Sequence, residues 1–163
     1  MGNLRIYRAS AGAGKTYTLV KLFLINALRT TPADDEGAAH TRFNPYTFGE
    51  TLCVTFTQKA TAEMKARIIS QLYDLAHGRA PHLLSDLASE LGLAEEVVSL
   101  RARLTLRTLL HHYSLLSVST IDSFVQRLVS TLIWELDLGN DIAVSLETEV
   151  YLLLASQALL RSM

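Results

Sequence analysis

The segment Ala9-Ser-Ala-Gly-Ala-Gly-Lys-Thr16 constrains this chain more than any other, because it sets a run of small residues before a lysine and a hydroxyl at fixed spacing. Leu4-Arg-Ile-Tyr-Arg8, just upstream, is short and alternates in polarity, which predicts a strand feeding a turn. Downstream, Leu19, Leu22, Phe23 and Leu28 mark the buried face of a helix that ends near Thr30-Thr-Pro32, since proline disfavours helical geometry in the residue before it. The pattern G-x-x-x-x-G-K-[ST] is matched from its second half onward, with Ala9 at the first glycine and Gly14-Lys15-Thr16 intact. Ala9, Ser10, Ala11, Gly12, Ala13 and Gly14 are small enough for the chain to wrap closely, so that successive N–H groups and the helix N-terminus point at a β-phosphate. Lys15 then adds a cation at the β/γ oxygens, and Thr16 offers a hydroxyl to Mg²⁺. These residues predict a site for ATP and Mg²⁺, with Lys15 and Thr16 in the catalytic roles and Thr16 as the metal contact. The plain structural alternative is a glycine-rich turn before a helix, with Lys15 exposed.

Beyond this loop, Pro32 to Gly49 is polar and reads as a surface loop. Thr51 to Thr57 is rich in β-branched and aromatic residues with little alternation, as expected of a strand buried on both faces of a parallel sheet. Thr57 caps a helix whose apolar positions Met64, Ile68, Leu72 and Leu75 recur at steps of four and three, and Gly78 ends it. Pro81 to Tyr113 reads as two helices with a break near Gly92. Leu115 to Ile121 predicts a further strand, and Asp122 or Ser123 caps the helix after it, with Phe124, Leu128, Leu132 and Leu136 on its apolar face. A last apolar helix is expected over roughly Glu147 to Leu160. Strands alternating with helices predict an α/β sandwich with a parallel sheet.

Composition limits what the chain can contact. At 163 residues, 49% of them hydrophobic, it is long enough to bury a substantial core. No apolar run approaches the roughly 18 residues that a membrane span needs, the N-terminus lacks an apolar signal core, and the single cysteine, Cys53, has no intrachain partner. A cytoplasmic protein with no membrane association is expected, with Cys53 packing as a small hydrophobe. The net charge of −1 means that any nucleic-acid contact must be local. Lys59, Lys65 and Arg67 form one local enrichment, and Arg101, Arg103, Arg107, His111 and His112 another; each also fits an ordinary solvated helix face.

The segment Val54-Thr-Phe-Thr-Gln-Lys-Ala-Thr-Ala-Glu-Met-Lys-Ala-Arg-Ile68 resembles motif Ia of the UvrD/Rep-type superfamily 1 helicases, and Ser119-Thr-Ile-Asp-Ser-Phe124 resembles their following motif in the form associated with the AddA and RecB helicase-nucleases. Gln58 stands where asparagine is commoner, and Asp122 where many relatives have histidine. The resemblance implies a RecA-like, P-loop NTPase three-layer sandwich, incomplete here: residues 1–140 would be the N-terminal part of the motor domain, and residues 141–163 the start of a helical insertion. It also implies single-strand contacts at Phe56, Thr57, Lys59, Thr120 and Ser123, to which residue chemistry adds Thr55 and Arg67. Phe56 can stack on an unpaired base, the threonine hydroxyls can hold phosphates, and Lys59 and Arg67 can add charge along the backbone path. Packing and helix-capping roles fit these same residues. Implied partners are single- and double-stranded DNA and a second subunit of a helicase–nuclease complex.

No Asp-Glu pair follows an apolar strand in these 163 residues. Hydrolysis needs a carboxylate to hold Mg²⁺ and another group to orient water. The expectation is therefore a fragment that binds nucleotide without turning it over, and whose uncovered strand edges promote self-association. Two rivals remain at this stage: a P-loop kinase or other small-molecule nucleotide enzyme, and a non-catalytic interaction module that keeps the loop as a relic.

Overall fold

The computed structural model describes residues 14–32, 41–135, 152–153 and 157. The expected first strand, the loop residues Ala9 to Ala13, Leu136 and most of the expected last helix lie outside the described residues. The chain divides into two compact units, Met1–Phe124 and Val125–Met163.

In the first unit, helix α1 (Lys15–Leu28) starts at Gly14 and buries Val20, Phe23, Leu24, Ala27 and Leu28. This stripe is offset by one residue from the expected face. Leu19 is half exposed and Leu22 lies between, because the small residues Val20 and Ala27, not the neighbouring leucines, complete the i, i+3, i+4, i+7, i+8 row.

The segment expected to be a plain surface loop contains more structure. β1 (Thr30–Pro32) pairs antiparallel with β2 (Thr41–Phe43), Thr30 opposite Phe43. A 3₁₀ turn at Thr47–Glu50 then sinks Thr47 and Phe48 completely. Arg101 fastens this region to the helices: its guanidinium donates to the Leu28 carbonyl at 2.7 Å and to Thr30 Oγ1 at 3.1 Å, and lies 4.9 Å from the centre of the Phe43 ring. Partial burial pushes its pKa below the ordinary arginine value. Arg101 thus satisfies a carbonyl at the end of α1, one of the groups a helix C-terminus leaves unpaired.

Two strand–helix units follow. β3 (Cys53–Thr55) leads into α2 (Gln58–Ala76), and β4 (Val118–Thr120) into α5 (Ile121–Glu135). β3 and β4 pair in parallel with Cys53 opposite Val118 and Thr55 opposite Thr120. Both strands are shorter than the sequence suggested. Burial on both faces fails for β3, since Val54 is 41% exposed; among the described residues only β4 pairs with it.

α2 is the centre of the core. Met64, Ile68, Leu72 and Leu75 are all buried, as their spacing predicts, and full burial of each such side chain contributes roughly 1.5–3 kcal/mol. α3 (Pro81–Leu91) carries proline at its first turn and ends on Gly92 at φ 64, while Gly78 closes α2 at φ 66. α4 (Glu95–His111) runs antiparallel to α2. From its first half Ser99 and Arg103 donate to the Leu75 and Ala76 carbonyls at the end of α2, and just past its end Tyr113 lies under Lys65, 5.6 Å from the ring centre. Arg103, like Arg101, is committed to a helix carbonyl.

In the second unit, α5 continues from Val125 with Leu128, Val129 and Leu132 each 40–48% exposed. Among the described residues, no helix is long and apolar enough to cross a membrane.

Candidate nucleotide and nucleic-acid site

Gly14 takes φ 74, a left-handed conformation that costs a residue with a Cβ about 1 kcal/mol or more, and it is the N-cap of α1. No side chain caps this helix and its first turn holds no acidic residue. Thr18 N–H returns to the Gly14 carbonyl at 3.0 Å. The amides of Lys15, Thr16 and Tyr17 therefore open the helix with the positive end of its dipole and no carboxylate in the turn to neutralise it. Lys15 is exposed and Thr16 half-buried. This donor set fits a phosphate with its Mg²⁺: backbone N–H groups, an ammonium and a hydroxyl, with no acidic residue in the first turn of the helix.

A second group of predicted residues gathers where β3 and β4 end. Because the strands are parallel and Thr55 stands opposite Thr120, the turns 55–57 and 120–123 lie side by side at one edge of the sheet. Phe56 is 87% exposed, which excludes the core role open to it on sequence alone. Thr57 takes an extended conformation and its Oγ1 accepts from Ala60 N–H at 3.1 Å, the expected cap. Accepting leaves the hydroxyl proton free to donate outward.

Thr55 is held more tightly. Its Oγ1 lies 2.7 Å from Thr61 Oγ1 and 3.1 Å from the Thr57 carbonyl, which Thr61 Oγ1 also approaches at 3.2 Å. Lys59 sits exposed in the first turn of α2. Arg67 is exposed eight residues later, about 12 Å along the helix axis at 1.5 Å per residue, so it is not brought to the strand ends.

At the other turn the expected caps are corrected. β4 closes at Thr120, and Thr120 Oγ1, not Asp122 or Ser123, accepts the Ser123 N–H at 3.2 Å while donating to Ser123 Oγ at 2.9 Å. Thr120 is 5% exposed and its hydroxyl is spent inside the turn; Ser123 is half-buried and keeps its own proton. Asp122 sits exposed in the first turn of α5. Thr61, buried at 7%, is the residue the sequence reading passed over; its signal is the recurrence of threonine at 55, 57 and 61, which puts three hydroxyls around one turn.

A groove of about 220 Å³ runs between α1 and β3, lined by Leu19, Leu22, Phe23, Leu52, Cys53 and Met64 among others. Desolvation there pushes the Cys53 thiol up to about 11. A larger groove, about 420 Å³, lies on α3 and α4 beside Leu84, Leu100 and Arg103 and includes none of the predicted site residues.

Strands that run parallel, each followed by a helix, with chemistry-bearing turns at their carboxyl ends, define an α/β protein whose ligands belong at that sheet edge. Over residues 2–162 the sequence matches the UvrD/REP helicase N-terminal domain, and the chain belongs to that family. It is also similar to RecBCD enzyme subunit RecB of Escherichia coli (strain K12), with 44% identity over 71 residues, or 44% of this chain and 6% of that protein. The chain therefore matches only a small part of that relative's length. No solved structure matches it significantly.

Proposed function

We propose that residues 1–140 form the N-terminal part of a RecA-like motor domain, and residues 141–163 the start of a helical insertion, in an ATP-dependent DNA helicase of recombination and double-strand-break repair. The family membership and the RecB likeness support the helicase class. The observation that carries the DNA side is Phe56: an 87% exposed phenylalanine between Thr55, which ends β3, and Thr57, which caps α2, at the paired ends of parallel strands.

In this reading the amides from Ala9 to Gly14 cradle the β-phosphate, Lys15 neutralises the β/γ oxygens, and Thr16 holds Mg²⁺. The metal supplies charge neutralisation at the phosphates. Phe56 stacks on an unpaired base while Thr57 and Lys59 steady the backbone; Thr55 and Thr120 shape the two turns, and Ser123 adds a phosphate donor. Arg67, exposed about two turns further along α2, meets the DNA backbone farther from the β-strand ends. Closure of the intact motor on ATP would shift this grip along one strand, beside partner subunits of the kind the name RecBCD denotes. The 163 residues by themselves bind nucleotide without turning it over.

The test is a crossed pair of variants. Lys15→Ala is expected to abolish binding of a fluorescent ATP analogue with Mg²⁺ and leave oligo-dT binding intact; Phe56→Ala is expected to do the reverse. Loss of neither ligand in its own variant, or DNA-stimulated ATP turnover by the purified chain, would overturn the assignment.

A further inference from the structure

The turn that presents Phe56 is held by side-chain hydroxyls, one of which comes from Thr61. The Thr57 carbonyl accepts the Thr61 N–H at 3.0 Å, which uses one lone pair. Two hydroxyls, Thr55 Oγ1 at 3.1 Å and Thr61 Oγ1 at 3.2 Å, converge on what remains, and they lie 2.7 Å from each other. Each hydroxyl has one proton to give. Two protons cannot serve three contacts at once, so one hydroxyl donates to the carbonyl and the other donates to that hydroxyl. Either arrangement ties the last residue of β3 to the first turn of α2 across Phe56, which is 87% exposed.

We infer that Thr61 is a positioning residue for nucleic-acid binding: its hydroxyl, with that of Thr55, locks the 55–57 turn in the conformation that projects Phe56 for base stacking. This rests on the reading of Phe56 as a stacking residue. A ring that is 87% exposed gains no orientation from packing, so its orientation comes from the backbone that carries it. If the tether is cut, the turn samples other conformations, and apparent affinity falls by the fraction that leaves the competent one. Thr61 is buried and Val is its near-isostere, so Thr61→Val removes the hydroxyl and little else.

The experiment is a mutant cycle on the full chain, read as oligo-dT affinity at one salt concentration, with thermal unfolding as a fold check. Thr61→Val is expected to weaken binding about fivefold, the equivalent of one lost hydrogen bond. Thr61→Ser, which keeps the hydroxyl, restores affinity. In a Phe56→Ala background Thr61→Val is expected to do nothing more, because there is no ring left to orient; a merely structural role would weaken binding in both backgrounds. Thr55→Val provides a second cut of the same tether if Thr61→Val unfolds the chain. If Phe56→Ala weakens binding but neither hydroxyl deletion does, or if the losses simply add, the positioning role is overturned and the stacking role stands. If Phe56→Ala binds as the parent does, both fall.

Discussion

Phe56→Ala separates binding from folding more sharply than any other single change in this chain. The Phe56 ring is 87% exposed, whereas Phe23 is 1% and Phe48 0% exposed. Truncating a buried phenylalanine costs about 3–5 kcal/mol through lost transfer energy and the cavity left behind. At Phe56 there is almost no burial to lose, so the expected stability change stays within about 0.5 kcal/mol. Stacking of a base on an aromatic ring contributes about 1–3 kcal/mol, which converts to a rise of about 5- to 150-fold in the dissociation constant for oligo-dT. Salt must be held constant, since phosphate contacts make affinity steeply salt-dependent. Anisotropy of labelled oligo-dT measures the first quantity and the urea midpoint the second, with Phe23→Ala as the control for a packed ring. A urea midpoint that falls as far for Phe56→Ala as for Phe23→Ala would show that the ring is packed after all. Unchanged affinity with an unchanged midpoint would show that no base stacks there.

Three further outcomes are expected. Thr105 is fully buried in α4 with no partner for its hydroxyl among the described residues, so Thr105→Val should raise stability by about 1 kcal/mol, seen as a higher melting temperature; a lower one would reveal a partner for that hydroxyl. Cys53, whose pKa is raised from 9.0 to about 11, should be alkylated at a rate that still climbs steeply above pH 9 and reaches half its maximum only near 11, because the thiolate is the nucleophile; a plateau by pH 9 would contradict the desolvation. Asp122 places a carboxylate in the first turn of α5, at the edge proposed to meet phosphates, so Asp122→Asn should tighten oligo-dT binding about two- to fivefold at low salt; weaker binding would mean that the carboxylate orients a donor.

The parts of the fold legible from sequence are those with long repeats or a residue of unique conformation. α2 is nineteen residues long, and its apolar positions recur often enough to define a face; Thr57, Gly78 and Gly92 have few alternative explanations. The parallel β3–β4 pair was implied by alternation of strands and helices. β1 and β2 were not legible, because three positions carry no periodicity and, unlike β3 and β4, they do not lie within a longer apolar run: they are held by pairing to each other and by Arg101, neither of which leaves a local pattern. At the site the types of residue were legible and their commitments were not. Thr120 looked like a phosphate donor, yet its hydroxyl closes its own turn, and Thr61 looked like an ordinary helix residue although it completes the hydroxyl cluster.

A net charge of −1 is awkward for a nucleic-acid motor only if side chains are the source of positive potential. Arg101 and Arg103 cap helix carbonyls inside the fold, so the richest cluster of arginines in the sequence is partly consumed by structure. The helix starts make up the difference. α1, α2 and α3 open with no acidic residue in the first turn, while α4 opens with Glu95 and Glu96 and α5 with Asp122. Each uncompensated N-terminus carries about half a positive charge; of the three, two follow the phosphate-loop pattern and the Phe56 turn, and the third, at α3, follows neither. Acidic side chains thus neutralise the helix start at α4, which carries no predicted contact, and partly at α5, while Gly14-Lys15-Thr16 and Thr57-Gln58-Lys59 each join an uncompensated helix start to a lysine that the α3 start, Pro81-His-Leu-Leu84, lacks. On the proposed function, phosphate binding at these two places draws on a helix start and one lysine rather than on a broadly basic surface, and the affinity of each should track substitutions in its own first turn rather than the charge of the chain.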